Sequence, residues 1–182
     1  MKILSDCPAI LGDWNLGNRE ALCLENPEPW MASIWRALGG ESSPWELMAV
    51  GDDLPDTLMI VIERASSSQF DQLVKLARGA QELPETLICV ALEGENFHGQ
   101  SKRPWSAMRG NLHLSFFSKL DIPAADLQEE ISILPTLALL DAFSIDPNPD
   151  EHTGIRWVND LFIKGRKVAG TITASQLIGE RI

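Results

Sequence analysis

Apolar positions in the first part of the chain follow a helical spacing, and after residue 57 they gather into short continuous runs. Trp30, Ile34, Trp35 and Leu38 fall on one face of a helix over residues 29–38, which Gly39 is placed to end. Ser43-Pro44 opens another short piece, closed near Gly51. Residues 1–56 are thus expected to form a helical extension ahead of a domain over residues 57–182. Residues 57–62 are apolar and β-branched and read as a strand buried on both faces. Ser66, Ser67 and Ser68 follow, one of them to cap a helix over residues 69–78 with Leu73, Leu76 and Ala77 inward. Residues 86–92 make a second buried strand and residues 111–117 a third. Between those two, residues 93–110 are polar with no period, and a loop of that length inside a domain is commonly functional. Leu127, Ile131, Leu134 and Ala138 line a helix over residues 124–143, which Pro135 should kink or start late. Residues 155–163 and 167–174 are β-rich runs joined by Lys164-Gly165-Arg166, a hairpin signal. This order predicts the α/β (α+β) class: a mixed β-sheet with packed helices.

The chain has 182 residues, 45% of them hydrophobic, which is ample for a core and unlike a disordered composition. Its formal net charge of −11 argues against general nucleic-acid binding, which needs a basic face. No DNA partner is expected, since the first segment also lacks a basic recognition helix. The charge is unevenly spread: residues 1–95 carry 6 basic and 16 acidic side chains, residues 96–182 carry 9 and 10. The later cations cluster as Lys102, Arg103 and Arg109, then as Arg156, Lys164, Arg166 and Lys167. A solvated surface accounts for either cluster, and so does a site for a small anion. Cys7, Cys23 and Cys89 lack metal-ligand or redox spacing, and His98, His113 and His152 are scattered. Reduced thiols, a cytoplasmic protein and no zinc site are the expectation. No signal peptide is evident and no run is long enough to span a membrane, so no membrane partner is expected.

Three polar constellations sit beside the expected strands. Ser66-Ser67-Ser68 is either a plain helix cap or a ligand contact. The loop from His98 to Ser106 combines Gly99, the adjacent cations Lys102 and Arg103, and the aromatic face of Trp105, with Gly110-Asn111 beyond. Those are parts that a nucleotide or acyl-phosphate site uses. Asn159 and Asp160 stand in the middle of an apolar run, and buried polar groups are retained for a structural network or a ligand.

The stretch from Arg156-Trp157-Val158-Asn159-Asp160 to Gly165-Arg166-Lys167-Val168-Ala169-Gly170 resembles the signature hairpin of the biotin protein ligases and their lipoate-ligase relatives. The loop Gly99-Gln100-Ser101-Lys102-Arg103-Pro104-Trp105-Ser106, with the strand after Gly110, is similar to that family's biotin-binding loop. Ser66-Ser67-Ser68-Gln69 sits where those enzymes carry a Ser-Thr-Asn turn. Order and spacing agree over residues 57–176.

The resemblance implies a biotin–[biotin carboxyl carrier protein] ligase. Biotin and ATP would give biotinyl-5′-AMP, and biotin would pass to a lysine of a carrier domain. It implies Lys167, Arg156 and Arg103 on the reacting phosphate and carboxylate oxygens, and Trp105, Asn111, Asn159 and Asp160 on the nucleotide. Asp160 would hold Mg²⁺, while Ser66, Ser67, Ser68, Gly99 and Gln100 would read biotin. The chain departs from the family at Arg156, where lysine is usual, at Val158, where proline is usual, and in a loop poorer in glycine and arginine. It also ends at Ile182, soon after the hairpin, as a minimal or truncated form would. Lipoate or octanoate attachment on the same fold is the alternative activity, and a non-catalytic binder of biotin, adenylate or a carrier domain is the third reading. A homodimer is among the expected states.

Overall fold

Leu58, Ile60 and Ile62 turn to one face of a strand, Met59 and Val61 to the other, and all five side chains are buried. A run of this kind satisfies its backbone only between two neighbours, and it finds both. The computed structural model describes residues 1–7, 9–12, 19–23, 28–40, 45–49, 56–79, 82–123, 130–144 and 153–177. They form β1 (Lys2–Ser5), β2 (Arg19–Cys23), α1 (Pro29–Ala37), β3 (Trp45–Ala49), β4 (Thr57–Ala65), α2 (Gln69–Arg78), β5 (Thr86–Gly94), β6 (His113–Ser118), α3 (Leu134–Ser144), β7 (Thr153–Arg156), β8 (Asp160–Ile163) and β9 (Arg166–Gly170). Two units result: one comprises Met1–His98 and Pro104–Lys119, the other Gly99–Arg103 and Leu120–Ile182. Among the described residues no helix is long and apolar enough to cross a membrane.

The first unit is a mixed sheet ordered β2-β3-β1-β4-β5-β6. β4 pairs in parallel with β1 on one side and β5 on the other, and the remaining pairs are antiparallel. α2 is the crossover between β4 and β5, as parallel neighbours require. On one face Leu58, Ile60, Ile62 and Leu87 meet Met31, Ile34, Trp35 and Leu38 from α1 and its end, and Leu73 from α2. On the other, Ile3 of β1 stands beside Met59, and Ile3, Met59, Val61 and Val90 cluster with Cys7 and Leu11. Pro29 stands in the first turn of α1, where its missing N–H costs nothing. Gly39, at φ +100°, takes the left-handed conformation that ends it. Gly40 leaves room for Trp35, because a Cβ there would overlap the indole ring.

Among the described residues of 1–56, α1 forms as expected, whereas Lys2–Ser5, Arg19–Cys23 and Trp45–Ala49 are strands. β1, β2 and β3 are strands of the main sheet, and β1 lies against β4 from Lys2↔Leu58 to Ser5↔Val61. The boundary at residues 56/57 therefore cuts through a hydrogen-bonded ladder. Four residues such as Lys2–Ser5 are too short to show a period, and tertiary pairing decides their conformation. The short helical piece expected from Ser43-Pro44 to near Gly51 is instead strand β3 over Trp45–Ala49; Ser43, Pro44, Trp14, Leu127, His152 and the start of the helix at Ala124 lie outside the described residues.

The second unit holds a separate antiparallel sheet ordered β7-β8-β9, with α3 packed on β7 and β8. Leu161 and Thr136 are buried there, and the Thr136 and Thr171 hydroxyls are hydrogen-bonded at 2.8 Å. Pro135 stands in the first turn of α3, so the late start is the outcome. The single run expected over residues 155–163 is broken into β7 and β8 by a turn at 157–159. Lys164 (φ 51°) and Gly165 (φ 73°) make the β8–β9 turn, both left-handed as a tight hairpin demands.

Ile60 is fully buried in the central strand. Ile60→Ala is expected to cost about 2–5 kcal/mol, read as a lower urea midpoint with unchanged slope.

Candidate active site

In an open sheet with parallel strands, ligands gather at the carboxyl ends of those strands. Here β4 and β5 deliver the serine turn and the polar loop to the same end. Glu95 N–H donates to the Ala65 carbonyl at 3.0 Å, and the Asn96 amide to the Ser66 carbonyl at 3.4 Å. Ser68 Oγ accepts from Asp71 N–H at 3.4 Å and so caps α2, while Ser67 Oγ accepts from Gln72 Nε2 at 2.9 Å. Two of the three serine hydroxyls thus have local structural partners, and the exposed Ser66 lies against the side-chain-free backbone of Gly39.

The aperiodic loop folds back on itself. Gly94 N–H donates to the Ala107 carbonyl at 2.9 Å and Trp105 N–H to the Phe97 carbonyl at 3.0 Å, with a β-bridge between His98 and Pro104. His98 Nε2 lies 2.8 Å from Asp71 Oδ2 in the first turn of α2. The loop stem is therefore tied to the helix that the serine turn starts. Sequence reading missed Asp71, whose signal was only its place three residues after a capping serine. Trp105 is 41% exposed. Arg109 is bound to Glu63 at 2.6 Å, which holds the guanidinium protonated. Gly110, Asn111, Arg109 and the apolar Ile10, Val90 and Leu92 line an open cavity of about 310 Å³. Cys7 and Cys89 are buried free thiols, and burial pushes Cys7 up to about 11, so neither is a nucleophile near neutral pH.

Within the second unit the loop tip closes through Gly99 N–H on the Arg103 carbonyl at 2.8 Å, with Ser101 and Lys102 at positive φ. Gln100, Lys102 and Arg103 are exposed. The hairpin gathers the other candidates. Lys167 Nζ contacts Asp160 Oδ1 at 2.6 Å, and Asp160 pairs across the strands with both Arg156 and Gly170. A Cβ at Gly170 would lie 3.1 Å from Lys167 Nζ and 3.3 Å from Asp160 Oδ1. Glycine at this register position thus makes room for the ion pair, a role that a glycine in a hairpin strand signals only once the register is known. Arg156 lies over the Phe162 ring at 5.5 Å, a cation–π contact. Asn159 Nδ2 donates to the Thr171 carbonyl at 2.8 Å, and Thr171 N–H to the Asn159 carbonyl at 2.8 Å. This turn explains the polar pair in an apolar run: Asn159 closes the β7–β8 connection. Asp160 was expected to hold Mg²⁺. Its carboxylate is engaged by Lys167, and no group of three His, Cys, Asp or Glu side chains converges among the described residues. These residues do not assemble a resident metal site.

Asp71→Asn removes the charge from the contact with His98. A charge-assisted hydrogen bond of about 1–2 kcal/mol corresponds to roughly a five- to thirtyfold change in opening. Trypsin should therefore cut after Lys102 several times faster in the variant; unchanged cutting would mean that the contact does not hold the loop.

The profile of the Biotin/lipoate A/B protein ligase family matches residues 61–181. The chain is 31% identical over 122 residues to the bifunctional ligase/repressor BirA of Bacillus subtilis, across 62% of this chain and 35% of that protein. It is 30% identical over 98 residues to the chloroplastic biotin–protein ligase 1 of Arabidopsis thaliana, across 52% of this chain and 26% of that protein. Among solved structures it resembles the Leishmania major biotin protein ligase in complex with biotinyl-5-AMP at TM-score 0.45 and 19% identity, over 67% of this chain and 53% of that one. The chain thus spans about a third of the curated relatives' length or less. With the family profile covering β4 from Val61 through the hairpin and beyond, the chain belongs to the biotin/lipoate A/B protein ligase family.

Proposed function

We propose that the chain is the catalytic part of a biotin–[biotin carboxyl carrier protein] ligase. It joins biotin and ATP to biotinyl-5′-AMP with release of pyrophosphate, and then passes biotin to a carrier-domain lysine. Family membership supports this reading, as do relatives named as biotin–protein ligases. The observation that carries it is the Lys167–Asp160 contact over Gly170. An ammonium held in place on a strand pair is what an attack between two anions needs.

In the first step a biotin carboxylate oxygen forms a bond to the α-phosphorus of ATP, and the bond to pyrophosphate breaks. Both partners are anionic, so the barrier falls when fixed cations lie where charge builds. Lys167, Arg156 and Arg103 take that role. Asp160 pre-orients Lys167, and Phe162 steadies Arg156. Trp105 packs on adenine and keeps water from the mixed anhydride, and Asn111 and Asn159 contact the nucleotide. Ser66, Ser67, Ser68, Gly99 and Gln100 hold the biotin head group. ATP enters as its Mg²⁺ complex, with the metal carried chiefly by phosphate oxygens. In the second step the carrier lysine attacks the acyl carbon and AMP leaves. The reduced thiols of Cys7 and Cys89 suit the cytoplasm as the compartment.

The family also includes lipoate ligases, so lipoate or octanoate is the competing acid. Pyrophosphate exchange into ATP with each acid in turn separates the activities, and biotin is expected to support it. Lys167→Ala should lower biotin-dependent exchange about 10²- to 10³-fold, and Arg103→Ala should lower it as well. Wild-type rates in both variants would refute the phosphate roles, and no exchange with any acid would leave a non-catalytic binder.

A further inference from the structure

Gln69 is fully buried, and neither Nε2 nor Oε1 of its carboxamide has a hydrogen-bond partner among the described residues. A buried amide with both ends unmet is costly, and native folds retain one chiefly where a ligand or an enclosed water completes it. Gln69 begins α2 and follows directly on the turn that receives the acid in the ligase reading. Along that turn burial deepens residue by residue: Ser66 is exposed, Ser67 half-buried, Ser68 and Gln69 buried. At Gly39 a Cβ would lie 3.5 Å from Ser66 Oγ, and at Gly94 it would run into the Phe97 ring and lie 3.0 Å from the Ala65 carbonyl oxygen. The buried end of the turn thus carries an amide with both ends unmet.

The carboxamide offers one donor group and one acceptor together. A dithiolane or a plain alkyl chain satisfies neither. A cyclic urea satisfies both, its carbonyl accepting from Nε2 and its N–H donating to Oε1. Resting on the ligase reading, we propose that Gln69 determines specificity for the acid, favouring a ureido acid over lipoate or octanoate by pairing with the urea.

Titration calorimetry of the whole chain with biotin, lipoate and octanoate, alongside thermal melting of the free protein, tests this. Gln69→Met keeps the size and removes the amide. It should bind biotin roughly ten- to a hundredfold more weakly, hold octanoate as tightly as before, and melt at the same or a higher temperature. That last result separates a ligand role from a structural one, because deleting an unmet buried amide relieves the free fold. A lower melting temperature would mean that the amide serves the fold through an enclosed water, and it would overturn the proposal. So would biotin affinity within about twofold of wild type, or equal losses for biotin and octanoate, and these outcomes leave the ligase reading standing. Wild-type protein that binds lipoate or octanoate but not biotin, or binds no acid, would overturn both.

Discussion

Because residues 57–62 are all buried, β4 must be paired and covered on every side. β1 and β5 supply the ladders, α1 and α2 one lid, and the segment around Leu11 the other. The parallel pairing of β4 with β5 then has a chemical consequence. Both strands run the same way, so Ser66–Ser68 and the polar loop leave the sheet at one end. α2 must begin there to cross over to β5. Its first turn becomes the shared footing for the serine turn, through Ser68 and Asp71, and for the loop stem, through His98. The position of the candidate site follows from a constraint on the core.

The hairpin solves a different problem. Lys167, Asp160 and Arg156 are charged groups on short strands, where neighbouring charges of one sign would repel. Asp160 stands between the two cations, in register with Arg156 and in contact with the Lys167 ammonium. Gly170 supplies the volume that the ion pair occupies. The pair is partly exposed, so it adds little to stability. In the proposed reaction its value lies in fixing where a cation stands before an anionic substrate arrives.

Much of this was legible in the residues. The apolar, β-branched runs marked β4 and β5, whose side chains are buried on both faces of the sheet. The cap at Ser68 and the turn at Lys164-Gly165 were readable because each rests on local backbone chemistry. β1, β2 and β3 were not, since four or five residues carry too little pattern and their strand state comes from partners far away in sequence. Asn159 was misread as strand for a related reason, as its turn depends on Thr171. At the candidate site, residue types drew attention to the serine turn, the polar loop and the hairpin. Which hydroxyls are already engaged, and that Gln69 is left unmet, are facts of packing that spacing does not encode.

Native mass spectrometry of the chain after incubation with biotin, ATP and Mg²⁺ tests the central claim, acid activation by adenylation, most directly. The account expects a complex heavier by one biotinyl-5′-AMP, lost when ATP is replaced by an analogue with a non-cleavable α,β-bridge. A chain that carries only unreacted biotin and ATP, with no adenylate formed, would contradict it.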